Sequence, residues 1–393
     1  MIGPVARPLA FVLALCAAEV LGMLSIATFP ALVPTFLAEW GLTNTEAGWI
    51  SGIYFAGYVA AVPLLVTVTD RIDARAVLLG SLALGFVAAL GYAALANGFW
   101  TALAFRAVQG VGLAGTYMPG LKVLSDRTEG PRQSRYVSFY TASYGIGTAF
   151  SYWLAGVIAG ALGWRYAFAA TTVGSLIAAL ILVAVLPPSK PAAHERRLFA
   201  FGPVLRMPAV RAFVFGYAGH NWELFAFRSW IVAYLTFAEM GRQQPISATA
   251  MASLVAFAGV AASIFGNEAA LRFGRRRAIL WVTAAAVAVG VVTGFVGTWS
   301  WGAAAFCVFV YSLLTIGDSA ALTAGTVAAA PVGARGTTLA LHAGIGTAGA
   351  VIGPLAVGVA LDLAAGPFAW AAAFAVMAAG SAMAFIAVAR LEP

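Results

Sequence analysis

Eight ionisable side chains stand inside long apolar stretches of this sequence: Glu19, Glu223, Glu268, Asp318, Arg106, Arg228, His220 and His342. Such groups are costly in a membrane unless they face protein or water, so each is a functional candidate. The chemistry open to them is proton exchange, ion pairing and the holding of a charged solute. Arg106 leads the set. It lies in Phe105-Arg106-Ala107-Val108-Gln109-Gly110-Val111-Gly112-Leu113-Ala114-Gly115. An arginine in such a run costs roughly 2.5–3.5 kcal/mol on insertion scales, so it needs an internal partner. Gly110, Gly112 and Gly115 let a neighbouring helix come close. A structural ion pair and a functional site both meet that need.

Glu19 is the first candidate for a proton carrier. Burial disfavours a charged carboxyl and a nearby cation favours it, and a group poised between the two can load and release a proton. A permanent salt bridge is the structural alternative. On the stretch from Ala209 to Phe237, Glu223 falls about 60° to one side of His220 and Arg228 about 80° to the other. That arc is too wide for lipid and must face a cavity and neighbouring helices. His220 can titrate near neutral pH or serve as a hydrogen-bonded packing residue. Asn221 shares this stretch, and Trp222 beside it reads as aromatic packing. Asp318 is isolated in an apolar context and is expected to pair with His342 or with a cation of the His220 stretch. Tyr54 and Tyr58, one turn apart, and Tyr144 add polar faces. The three histidines are scattered, and neither a nucleophile triad nor a phosphate-binding loop is present. No metal, no cofactor and no enzymatic activity are expected.

The elements that position these groups are helices in a bilayer. Of 393 residues, 62% are hydrophobic and 9% charged, with mean hydropathy +0.93. A soluble domain needs far more polar surface. The net charge of +8 does not point to nucleic acid, because of where it sits. Arg106 and Arg228 lie within apolar spans, only Arg165 and Arg242 fall in one set of loops, and the other basic residues gather in the alternate loops and termini. That bias places both termini in the cytoplasm. Cys16 and Cys307 lie in apolar spans and read as free thiols. The opening apolar run continues past Glu19 to about Leu37, too long for a signal-peptide core. It reads as one first helix, Pro8 to Leu37, with Glu19 about 16 Å in, near the midplane. Eleven further apolar runs follow, making twelve spans.

Pieces of the chain recur at a spacing of about 200 residues. Ala38-Glu39-Trp40-Gly41 returns as Ala238-Glu239-Met240-Gly241, and Gly145-Ile146-Gly147-Thr148-Ala149 returns letter for letter as Gly344-Ile345-Gly346-Thr347-Ala348. The expected fold class is therefore an all-α polytopic membrane protein, with twelve transmembrane helices in two pseudo-symmetric six-helix bundles. The domains are 1–188 and 209–393, joined by a Pro- and basic-rich cytoplasmic linker, 189–208.

The pattern R-x-x-Q-G-x-G-x-A at Arg106 resembles the fourth-helix motif of the major facilitator superfamily (MFS), and the duplication resembles that superfamily's parallel repeat. Asp70-Arg71-Ile72-Asp73-Ala74-Arg75 is similar to its signature between helices 2 and 3. It departs from that signature at Val66, where a glycine is usual, and at Asp73-Ala74. The resemblance implies alternating access, a gating latch at Asp70, Arg71 and Arg75, and a second latch at Glu268 and Arg272. It also implies that Glu19 and Arg106 communicate, directly or through water. The drug–proton antiporter signature of the superfamily is incomplete in helix 5, where Ser151-Tyr152 replaces the Gly-Pro pair, although Gly353-Pro354 keeps it in helix 11. The nitrate branch carries an arginine on each of helices 2 and 8, and neither span has one here.

The expected function is secondary active, proton-coupled transport of a small organic solute. Proton coupling falls to Glu19, Arg106 and Asp318. His220, Asn221, Glu223, Arg228, Tyr54, Tyr58, Tyr144 and His342 line the solute cavity. The partners are a small-molecule solute, protons and the lipid bilayer, with a monomeric chain in the cytoplasmic (inner) membrane. The alternatives are an uncoupled facilitator, a nitrate-like anion transporter, and a membrane sensor that no longer transports.

Overall fold

The computed structural model describes residues 8–69, 71–128, 132–188, 201–241, 243–331, 334–364 and 366–391. Asp70, Arg242 and residues 189–200 of the expected linker lie outside them. The described residues are helical, with no strand. They form α1 (Pro8–Gly22, resuming as Thr28–Ala31 and Val33–Trp40), α2 (Asn44–Val68), α3 (Ala74–Leu95), α4 (Phe99–Ala114 and Tyr117–Arg127), α5 (Gln133–Leu162) and α6 (Trp164–Val185). After a short turn at Phe201–Leu205 come α7 (Pro208–Glu239), α8 (Ala248–Phe273), α9 (Arg275–Val296), α10 (Trp301–Gly317 and Ser319–Ala329), α11 (Arg335–Leu363) and α12 (Ala369–Ala389). Nine are long and apolar enough to cross a membrane. The other three are α1 and α4, which are broken, and α7, which is the most polar.

Local chemistry sets the helix ends. The Asp73 carboxylate accepts from the Arg75 N–H at the start of α3, and Ser247 and Ser300 cap α8 and α10 in the same way. Gly163 and Gly274, at φ +95° and +91°, make the tight turns into α6 and α9, a backbone conformation that side chains disfavour. Large apolar side chains such as Leu64, Leu180, Phe257, Phe265, Trp281 and Phe306 stay exposed, as the solvent expected around a spanning helix requires.

Contacts divide the chain into two compact units: Met1–Leu32 with Ala56–Arg196, and Val33–Phe55 with Arg197–Pro393. In the first, Phe11, Leu15, Leu78, Leu82, Leu124 and Leu182 pack around Tyr136 and Tyr140. In the second, α7 is the centre, buried along most of its length against α11 and α12.

The repeated Gly-Ile-Gly-Thr-Ala does the same work in each unit. At Gly147 of α5, a Cβ would lie 3.0 Å from that of Met23 on the stretch following the first segment of α1; at Gly346 of α11 it would collide with the Tyr217 ring of α7. The first and fifth helices of each repeat approach closely because these positions carry no side chain. The fourth helix of each repeat is also interrupted at a corresponding place, α4 at Gly115–Thr116 and α10 at Asp318.

One expectation needs correction. The first span is not a continuous helix from Pro8 to Leu37, because it unwinds over residues 23–27. Pro30 has no N–H for the Ile26 carbonyl four residues back, and its ring crowds that carbonyl. The backbone there must find other partners.

Candidate functional site

Arg106 supplies them. Its Nη1 donates to the Ser25 carbonyl at 3.1 Å and to Gln109 Oε1 at 2.9 Å, and its Nη2 donates to the Ile26 carbonyl at 3.2 Å. The second of these carbonyls is the one that Pro30 leaves without a helical donor. Ser151 of α5 spans the same gap: its hydroxyl donates to the Leu24 carbonyl at 2.6 Å and accepts from the Ala27 N–H at 2.9 Å. Both side chains are buried. A planar, always charged guanidinium suits two adjacent carbonyls better than a point charge would. The internal partner that the sequence demanded is therefore unwound backbone of α1.

Glu19 lies one turn before the break, on the first segment of α1, and is buried. It makes no ion pair with Arg106. Its Oε2 accepts from the Tyr140 hydroxyl of α5 at 2.9 Å, and its Oε1 is buried without a hydrogen-bond partner. The Tyr140 hydroxyl also lies 3.2 Å from the Tyr117 carbonyl and 3.4 Å from the Thr116 carbonyl, at the break in α4.

The second unit holds two further buried clusters. His220 of α7 and Asp318 of α10 meet at 2.7 Å between Nδ1 and Oδ1, both almost fully enclosed. The expected partner of Asp318 is thus found on α7, not on α11. The Tyr217 ring lies between the two histidines, 5.5 Å from His220 and 3.9 Å from His342. His342 is held by Thr326 at 3.0 Å and Thr323 at 3.3 Å. In the other cluster Glu223 accepts from the Tyr311 hydroxyl at 2.6 Å and from the Ser381 hydroxyl. Asn221 donates to the Gly346 carbonyl at 2.9 Å, and the Trp222 indole to the Val376 carbonyl at 2.9 Å.

The other expected site residues have contacts of their own. Arg228 is half-buried over the Phe225 ring, 5.7 Å from its centroid. Tyr54 is buried edge-on to Phe55, Tyr58 packs with Ala61, Val62 and Ala114, and Tyr144 meets the Tyr117 ring edge at 5.4 Å. Of the first latch, Arg71 is exposed and Arg75 donates to the Val183 carbonyl at 3.2 Å. Of the second, Glu268 and Arg272 are both exposed; among the described residues no ion pair joins them, and Arg272 lies over the Phe273 ring.

Tyr140, Ser151, Tyr217, Tyr311 and Ser381 complete these clusters although none was an expected site residue. Asp362 stands near the end of α11. In the second unit this carboxylate closes the last turn of α11 onto the start of α2. It accepts from the Asn44 and Thr45 N–H groups at 3.0 and 2.7 Å and from both their side chains at 2.9 and 2.6 Å.

Comparison with known proteins follows the same lines. The sequence profile of the Major Facilitator Superfamily matches residues 15–330. A multidrug resistance protein B homolog of Mycobacterium tuberculosis is 27% identical over 200 residues, 51% of this chain and 36% of that one. The niacin transporter NiaP of Acinetobacter baylyi is 26% identical over 39% of this chain and 34% of its own. The chain thus spans about a third of the length of the curated relatives it matches. Among solved structures, a bacterial homolog of the human lysosomal transporter Spinster, inward-facing and unoccupied, superposes with TM-score 0.78 at 15% identity, covering 98% of this chain and 96% of that one. The nucleoside transporter NupG gives TM-score 0.78 at 13% identity over 97% and 100%. These matches show the fold: twelve helices in two related bundles. The chain is a multi-pass membrane protein, and it belongs to the Major Facilitator Superfamily.

Proposed function

We propose that this chain is a proton-coupled secondary transporter of a small organic solute, working by alternating access in the cytoplasmic membrane with both termini inside. The halves are the bundles 1–188 and 209–393, joined through 189–208, and the chain acts as a monomer. The observation that carries the coupling is Glu19. Among the described residues it is a buried carboxyl with one hydroxyl donor, one oxygen without a partner and no cation paired to it. No fixed ion pair has to break for it to take up or release a proton. His220–Asp318 is the corresponding group of the second unit. Arg106 supports coupling by holding the unwound stretch of α1 beside Glu19. Glu223, Asn221, Arg228, His342, Tyr54, Tyr58 and Tyr144 remain the residues proposed to meet the solute, and Asp70, Arg71, Arg75, Glu268 and Arg272 those proposed to gate it.

The named relatives supply the test panel: niacin, nucleosides and drugs. Purified protein is screened against these by thermal shift, and the solute that stabilises it is then followed into proteoliposomes with and without a pH gradient. Uptake or exchange that responds to the gradient is expected. Flux indifferent to the gradient makes the chain a facilitator, and stabilisation without flux makes it a sensor.

A further inference from the structure

A phenolic hydroxyl has one proton to donate. The Tyr140 hydroxyl faces three acceptors: Glu19 Oε2 at 2.9 Å, the Tyr117 carbonyl at 3.2 Å and the Thr116 carbonyl at 3.4 Å. The last two sit at the interruption of α4, where the chain turns through Gly115 and Thr116 and the helix restarts at Tyr117. Gly120 leaves room for this arrangement, since a Cβ there would collide with the Tyr140 hydroxyl. Tyr140 is buried, and its ring stacks on Tyr117 at 5.8 Å.

We propose that Tyr140 is a positioning residue that reports the protonation of Glu19 to the break in α4. While Glu19 is a carboxylate, the Tyr140 proton is drawn to Oε2, the nearest and only charged acceptor. A proton arriving on Glu19 from water turns that carboxyl into a donor toward the Tyr140 oxygen. The phenolic O–H bond stays intact and rotates to the Tyr117 or Thr116 carbonyl. The one proton gained is the one Glu19 binds, and no other bond is broken. The result is that the hydrogen bond between Glu19 and Tyr140 is kept with its direction reversed, and one is added to the backbone of α4, with no movement of the ring. The proposal rests on the reading of Glu19 as the proton carrier. The other titratable groups facing this point are Cys16 on α1 and Tyr117 on α4. From α6 and α3, which also pack on α1, the charged residues are Arg165, engaged by the Ala93 and Ala96 carbonyls at the start of α6, and Arg75, which donates to the Val183 carbonyl.

The test uses the full chain in lipid nanodiscs, with protons as the only ligand. Infrared difference spectra with pH isolate the Glu19 carboxyl band as the one missing in Glu19→Gln. Hydrogen exchange at residues 116–121, scaled to the intrinsic rate at each pH, reads the α4 break. Wild-type protection there is expected to change about three- to tenfold as Glu19 titrates, the effect of one hydrogen bond. In Tyr140→Phe that change is lost while the Glu19 band still titrates. Gly120→Ala, which displaces the hydroxyl and keeps the tyrosine, is expected to lose it too. Persistence of the exchange change in Tyr140→Phe overturns the proposal and leaves Glu19 as proton carrier intact. Absence of any Glu19 band in the wild type overturns both.

Discussion

Replacing Arg106 by alanine separates two accounts of a buried arginine. If its work is to satisfy the unwound backbone of α1, the loss leaves the Ser25 and Ile26 carbonyls buried without their donors. Each unsatisfied group of this kind costs about 1–3 kcal/mol, so the variant should lose about 2–6 kcal/mol. Arg106→Lys should recover only part, since an ammonium lacks the planar fork that reaches both carbonyls. Ser151→Ala frees the Leu24 carbonyl and the Ala27 N–H of the same stretch. Combined with Arg106→Ala it should be non-additive, because once the stretch has collapsed there is less left to lose. Glu19→Gln makes no direct contact with Arg106 and should add to Arg106→Ala within about 0.5 kcal/mol. The assay is equilibrium unfolding in mixed micelles, read as a double-mutant cycle for each pair. A large favourable coupling between Arg106 and Glu19, with none between Arg106 and Ser151, would refute the backbone role and restore the ion-pair reading.

Two further outcomes follow from the second unit. Removing one partner of the enclosed His220–Asp318 pair, as in Asp318→Leu or His220→Leu, should cost about 3–5 kcal/mol; replacing both together should recover most of it, measured by the same unfolding assay. Asp362→Ala removes a carboxylate that serves the N–H groups at the head of α2, a loss of about 0.5–2 kcal/mol. Hydrogen exchange at residues 44–47 should rise, whereas unchanged protection there would show that Asn44 and Thr45 are held by something else.

Much of this architecture is legible in the residues. Spans appear because a bilayer demands long apolar runs, and the duplication appears because Gly145–Ala149 and Gly344–Ala348 solve one packing problem twice. The need of Arg106 for an internal partner is equally plain. Its partner is not, because backbone carbonyls carry no sequence signal of their own. Pro30 is visible in the sequence, yet only the structure shows where the span breaks as this proline leaves the Ile26 carbonyl without a helical donor. The Glu19–Tyr140 contact depends on how α1 crosses α5, which hydropathy does not encode. Asp318 was expected to find His342 or a cation of the His220 stretch; the structure selects His220 and leaves His342 to Thr323, Thr326 and the Tyr217 ring. Asp362 misleads for the opposite reason: an acid beside a loop reads as solvated unless the helix start it caps is known.

The most direct measurement is of proton movement itself. Proteoliposomes carrying a pH-sensitive dye are given the solute found by the panel screen, with wild type and Glu19→Gln compared at matched internal and external pH. Wild type should move protons with the solute, while Glu19→Gln should exchange the solute and move none. Proton movement undiminished in Glu19→Gln, or solute flux in wild type with no protons moved, would contradict the account.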